Sequence, residues 1–86
     1  MESYRSMSNP AKVFHPGEFL QDEMHERGIT LCWLSKRSEL SQTILGGIII
    51  GAHSIDAHSA RGISKALGTS ADYWLNLQKA YDEMNQ

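Results

Sequence analysis

The stretch that decides the fold is TLCWLSKRSELSQTILGGII, residues 30–49. Thr30 and Ser41 have side chains that accept a hydrogen bond from the free amides at a helix start. Each is followed by apolar residues three or four positions apart, the spacing of one helix face. Residues 38–40 separate the two patterns. The stretch therefore predicts two short helices joined by a tight turn.

Local signals on both sides of this pair predict three more helices. Pro16 suits a helix start, where its missing N–H is not needed, and Gly28 suits the left-handed position just after a helix end. Asp56 is a good cap for a further helix that Gly68 ends. The predicted helices begin at Pro16, Thr30, Ser41, Asp56 and Thr69 or Ser70. The inward-facing residues are expected to be Phe19, Leu20, Met24, Leu31, Leu34, Ile55, Ala60, Ile63, Leu67 and Trp74.

These patterns predict an all-α fold, a compact domain of five helices. No segment alternates convincingly as a strand, and 86 residues suit one domain. Residues 1–12, rich in Ser, Asn and Pro, are expected to be a flexible arm before a domain at 13–86. A domain this small has a thin stability margin, which favours a homodimer.

The composition argues against several other classes of protein. The single cysteine, Cys32, excludes an internal disulfide, and we expect it to be a small packed apolar side chain. No apolar run suits a signal peptide or a membrane helix, so we expect a cytoplasmic protein with no membrane partner. No motif for a metal, a cofactor, a small-molecule substrate or catalysis is present.

The start of the third predicted helix carries the chemistry of nucleic-acid recognition. The first residues of a recognition helix reach base edges in the major groove. Gln42 can pair with adenine N6 and N7, and Thr43 can hydrogen-bond a base or contact a thymine methyl. The net charge of −2 requires the basic residues to be gathered on one face if DNA is a partner.

Residues 15–81 resemble the HigA antitoxins, a branch of the lambda-repressor-like (XRE) helix-turn-helix proteins. The resemblance rests on HPGE with Leu20 at the start, on residues 34–36 with 41–51 in the middle, and on KALGTS with WLNLQ at the end. It implies a lambda-repressor-like DNA-binding domain with its helix-turn-helix at about 30–50. It also implies a dimeric repressor that binds operator DNA and neutralises a HigB-like, mRNA-cleaving toxin protein.

The resemblance also implies roles for particular residues. The residues expected to face bases are Gln42, Thr43, Ile44 and Gly47. Those expected to face phosphates are Thr30, Lys36, Ser41, His53 and Ser54. Helical spacing, independently of the resemblance, gives candidates for a partner or dimer surface. These are Trp33, which is expected to lie off the core face of its helix, and Tyr73, Leu77 and Tyr81, which share one stripe of the last helix.

Several residues depart from the pattern of the wider family and leave alternatives open. Leu31 replaces a glutamine that often contacts phosphate, and Glu39 replaces a common turn glycine, where a positive φ would strain a glutamate. Trp33 replaces a polar residue and Ile50 an asparagine. One alternative is a protein-interaction module that binds a toxin but little DNA. Another is a stand-alone, phage-like transcriptional regulator.

Overall fold

The computed structural model describes residues 14–84, and these form five α-helices with no strand among them. The predicted arm at residues 1–12 lies outside the described residues. The helices are α1 (Pro16–Arg27), α2 (Leu31–Ser38), α3 (Gln42–Ile49), α4 (Ala57–Leu67) and α5 (Ala71–Met84). The predicted all-α fold class is therefore confirmed. None of these helices is long and apolar enough to cross a membrane.

Each helix begins where a local cap satisfies its free amides. The hydroxyls of Thr30, Ser41 and Ser70 each accept the amide three residues ahead at 3.0 Å. Asp56 and Ser59 form a reciprocal capping box, in which Asp56 Oδ1 accepts from the Ser59 amide at 2.8 Å. These bonds explain why such short helices have well-defined starts, since the loss of an N-terminal cap lowers the stability of a helix by about 1 kcal/mol.

The core lies where α4 packs against α2 and α5 while α1 packs against α3 and α5. Its fully buried side chains include Leu20, Leu34, Leu45, Ile48, Ile63 and Trp74. The predicted burial of Trp74 is confirmed, and its indole N–H donates to Thr69 at 2.7 Å. Arg27 joins α1 to α4 by donating to the Leu67 carbonyl at 2.9 Å, which satisfies a free carbonyl at the end of α4.

Two residues, Gly17 and Glu39, have backbone positions that set the path of the chain. A Cβ on Gly17 would overlap the Ile48 carbonyl, so the start of α1 can lie against the end of α3 only if residue 17 has no side chain. Glu39 ends α2 with φ of 64°, the one non-glycine residue among 14–84 with a positive φ. The turn between α2 and α3 therefore requires the strained conformation that the sequence suggested.

The expectation that Cys32 is packed is wrong, because the side chain is exposed. On α2, Leu34 is fully buried and Leu31 packs against the core, and residue 32 lies about 100° around the helix from residue 31. Trp33 is half-buried at the edge of the same core. Its ring carries the Arg37 guanidinium 4.8 Å from the ring centroid.

Candidate nucleic-acid interface

The outer face of α3 begins with three consecutive exposed residues. Gln42 and Thr43 are exposed, and Ile44 keeps 40% of its surface accessible. Leu45 and Ile48 point the other way and are fully buried. The apolar inner side thus anchors the helix, and its polar first turn is left facing solvent.

Gly47 does not share this outer face. It is buried, and a Cβ at this position would overlap the imidazole of His53. Gly47 was expected to face a base, but the structure buries it, because the chain that follows α3 covers this part of the helix. The glycine serves close packing instead.

The α3–α4 loop (residues 50–56) folds back over the end of α3. The amides of Ala52 and His53 both donate to the Gly47 carbonyl, at 2.7 and 3.0 Å. His53 and Ser54 remain exposed beside the first turn of α3. The loop therefore holds two of the predicted phosphate-facing residues next to the predicted base-facing ones.

The other predicted phosphate-facing residues lie at helix ends. Thr30 and Ser41 are exposed, and each hydroxyl oxygen already accepts a helix amide, which leaves its O–H free to donate. Lys36 is exposed in the last turn of α2, and none of the carboxylates of residues 14–84 lies within 4 Å of its amine.

The structure adds the start of α4, which sequence reasoning missed. A cleft of about 280 Å³ lies between α3 and α4, and its lining includes Ile44 of α3 and His58 of α4. Arg61 lies one turn further along α4, exposed and without an ion-pair partner in the described chain. The i, i+3 spacing of His58 and Arg61 was visible in the sequence, but their nearness to α3 was not.

The neighbouring charges on α4 are partly neutralised. Lys65 donates to Glu39 at 3.2 Å, and both side chains are more than half exposed. Hydrogen bonds from the backbone and side chain of Ser59 hold the pKa of Asp56 below its ordinary value. Arg61 has no carboxylate of residues 14–84 within 4 Å, although it lines the same cleft as Glu39.

The three candidate partner-surface residues of α5, Tyr73, Leu77 and Tyr81, do not form one exposed stripe. Tyr73 is exposed, with its ring edge on Trp74 at 5.0 Å between centroids. Leu77 packs against the core, and Tyr81 is half-buried against His15, 4.8 Å between centroids. Much of this stripe therefore serves packing within the chain.

In this all-α domain a tight turn joins two short helices, and the second helix presents an exposed polar first turn. These features define a helix-turn-helix protein. The comparison with known proteins agrees. A HigA-family addiction module antidote protein from Coxiella burnetii is 35% identical, with a TM-score of 0.80 over 86% of this chain and 82% of that one.

Two further relatives extend the comparison. The antitoxin HigA of Pseudomonas aeruginosa, solved with the higBA promoter, is 31% identical, with a TM-score of 0.81 over 86% of this chain and 82% of that one. Virulence-associated protein I of Dichelobacter nodosus is 32% identical over 75 residues, 86% of this chain and 69% of that protein. No family model matches the chain. The chain belongs to the HigA family of antitoxins.

Proposed function

We propose that this protein represses its own operon by binding operator DNA as a homodimer, and that it neutralises a HigB-like toxin by binding it. The observation that carries the DNA half is the exposed first turn of α3, with Gln42, Thr43 and Ile44 side by side. The solved complex of the Pseudomonas aeruginosa relative with its promoter supports the same assignment.

In this proposal the first turn of α3 enters the major groove. The Gln42 amide can donate to N7 and accept from N6 of one adenine, a pairing that distinguishes it from the other bases. Thr43 and Ile44 offer a methyl group and an apolar surface to thymine methyls. Gly47 takes no part, because it is covered by His53.

Phosphate contacts would surround this turn on both sides. The free O–H groups of Thr30 and Ser41 lie at the starts of α2 and α3, where the helix dipole also favours an anion. Lys36 supplies charge from α2, and the α3–α4 loop presents His53 and Ser54. The cluster on α4, His58 and Arg61, extends the contacts beyond those that the sequence predicted.

Two copies related by a two-fold axis would place their α3 helices about 34–36 Å apart, one turn of DNA. Trp33 and Tyr73, at the edges of the described core, are the aromatic residues we assign to the dimer or toxin contact, since such residues anchor interfaces. The protein acts by binding in the cytoplasm, without catalysis, a cofactor or a small-molecule substrate.

Fluorescence anisotropy with the DNA upstream of the operon tests the DNA half. Gln42→Ala should weaken binding by roughly 5- to 150-fold, the value of one bidentate base contact. Gln21→Ala is the matched control, because Gln21 is also exposed but lies on α1. Absence of binding at micromolar protein and modest salt, or equal affinities for the two variants, would contradict the proposed base reading.

Co-purification with the product of the adjacent gene tests the toxin half. One alternative is a toxin-binding module that reads little DNA. It is favoured by Leu31, which packs against the core where the wider family often has a glutamine, and by buried Gly47, which has no side chain to read a base. That alternative expects the complex to form while the anisotropy stays flat. DNA binding without any toxin partner would instead indicate a stand-alone regulator.

A further inference from the structure

Gln78 of α5 is a buried polar side chain that contacts the α3–α4 loop from the core side. Only 5% of the residue is exposed. Its Oε1 accepts the Ile55 amide at 2.8 Å, and its Nε2 donates to Asp82 Oδ1, one turn further along α5, also at 2.8 Å. Because residues 55 and 78 lie 23 positions apart in the chain, the first of these bonds joins the loop directly to α5.

The two partners of Gln78 fix the direction in which its amide group points. A backbone N–H can only donate, so it requires the amide oxygen, and a carboxylate can only accept, so it requires the amide nitrogen. An amide turned by 180° would lose both bonds. Asp82 therefore orients the group that holds the loop, although Asp82 itself is exposed on α5.

The bond to Gln78 fixes the peptide unit that joins Ser54 to Ile55. Because a peptide is planar, the Ser54 carbonyl must turn whenever the Ile55 N–H turns. Only 3% of Ile55 is exposed, so without an acceptor its N–H would be buried and unpaired, and the backbone would have to move outward to reach water. Loss of the Gln78 amide therefore displaces Ser54 and, next to it, His53.

The other end of the loop is attached to a different helix. The amides of Ala52 and His53 donate to the Gly47 carbonyl of α3 at 2.7 and 3.0 Å. His53 and Ser54 thus lie between an attachment to α3 and an attachment to α5. The bond to Gln78 sets where the chain runs after these two residues and before α4 begins.

We infer that Gln78, oriented by Asp82, is a positioning residue that holds the α3–α4 loop where His53 and Ser54 can meet DNA phosphates. This inference rests on the proposed function, because the two residues contact phosphates only if DNA is bound as described. Operator affinity then depends on a buried residue of α5, a helix that carries none of the residues assigned to DNA contact.

Operator affinity of wild type and Gln78→Met, measured by fluorescence anisotropy, tests the inference. Met is similar in length and fills the same space, but it cannot replace the amide oxygen as an acceptor. Affinity should fall roughly two- to tenfold, the value of one hydrogen bond. Thr69→Val is the matched control, because it removes the bond from the buried Trp74 indole just before α5. A Gln78→Met variant that binds as tightly as Thr69→Val overturns the inference.

A double-mutant cycle with Ser54→Ala separates positioning from a general loss of stability. If Gln78 acts by placing Ser54, removal of the Ser54 hydroxyl should weaken binding roughly two- to tenfold in wild type and hardly at all in Gln78→Met. A merely structural role would leave the two losses additive. Additive losses, or a Ser54→Ala variant that binds as tightly as wild type, overturn the inference.

An exchange of donor and acceptor tests the orienting role of Asp82. At about pH 8, Gln78→Glu places a second carboxylate beside Asp82, and their repulsion should weaken operator binding. Adding Asp82→Asn supplies an amide that donates to the new carboxylate, so this double variant should recover most of the affinity. Adding Glu83→Gln instead removes the same charge one residue away and should not. Equal affinities for the two double variants overturn the orienting role.

Hydrogen exchange provides a readout that does not need DNA. In Gln78→Met the His53 and Ile55 amides should lose protection about tenfold, while core amides such as that of Ile63 keep theirs. Unchanged protection in the loop also overturns the inference. If wild type does not bind the operator, the proposed function fails, and the exchange result still decides whether Gln78 holds the loop.

Discussion

Helices α1 and α5 differ from the segment of α2 to α4 in the sign of their charge. The first pair carries seven carboxylates and two cations. The segment at 30–68 carries four cations and two carboxylates, and one of those carboxylates caps α4 while the other pairs with Lys65. The acids of the pair are Glu18, Asp22, Glu23, Glu26, Asp72, Asp82 and Glu83.

The difference explains how a chain of net charge −2 can offer a surface to DNA. Charges further apart than about 8–10 Å are largely screened at physiological salt, so the local balance matters more than the total. The segment that contains the helix-turn-helix is cationic, and the helices behind it are acidic. Net charge alone would have argued against a nucleic-acid partner.

The largest expected effect is a loss of stability when α1 of the acidic region is forced away from α3 at Gly17. Gly17→Ala places a methyl group on the Ile48 carbonyl, so α1 must move away from α3, and the free energy of unfolding should fall by roughly 3 kcal/mol. Urea denaturation measures this. Gly46→Ala is the control, because the nearest atom that its Cβ would meet is Leu31 Cδ2, at 4.0 Å. It should stabilise by about 0.5–1 kcal/mol, and a loss as large as that of Gly17→Ala would contradict the assigned contact.

A smaller effect is expected from removing one cation of each region. Arg61→Ala should lower the slope of log K against log[salt] by about 0.9, the value of one phosphate contact, and should weaken binding to all sequences alike. Lys79→Ala on α5 should leave the slope unchanged. Titrations of the operator at several salt concentrations measure both. Equal slopes for Arg61→Ala and wild type would exclude the start of α4 from the interface.

The smallest effect concerns the turn at Glu39. Glu39→Gly relieves a side chain held at φ of 64° and should stabilise the fold by about 0.5–1 kcal/mol. The substitution also removes the exposed salt bridge between Glu39 and Lys65, which contributes little to stability. Glu39→Ala removes the same charge but keeps a Cβ, so it should give no such gain. Thermal unfolding compares the two, and equal stabilities would mean that strain is not the cause.

Most helix ends could be predicted from the sequence, because a cap acts over three residues and needs nothing from the rest of the chain. Thr30, Ser41 and Asp56 cap their helices, because their side-chain oxygens accept the amides three residues ahead. The unusual cap at His15 was not predicted, since a histidine side chain accepts there only when its Nδ1 carries no proton.

The candidate site divides in the same way. Gln42 and Thr43 were predicted at the polar start of α3 because they directly follow the Ser41 cap, whereas the base-facing position of Ile44 was implied only by the family resemblance. The burial of Gly47 and the position of Arg61 depend on how the α3–α4 loop and α4 pack against α3, which no local pattern encodes. The exposure of Cys32 likewise depended on which side of α2 faces α4.

The sequence by itself determined the five helices, their caps and the polar start of α3, since these follow from hydrogen bonds and periodicity within a few residues. Only the tertiary structure decided which charges lie beside that turn and what holds the loop next to it. Those depend on contacts between residues that are far apart in the chain, such as Ile55 with Gln78 and His15 with Tyr81, which are fixed when the helices pack together.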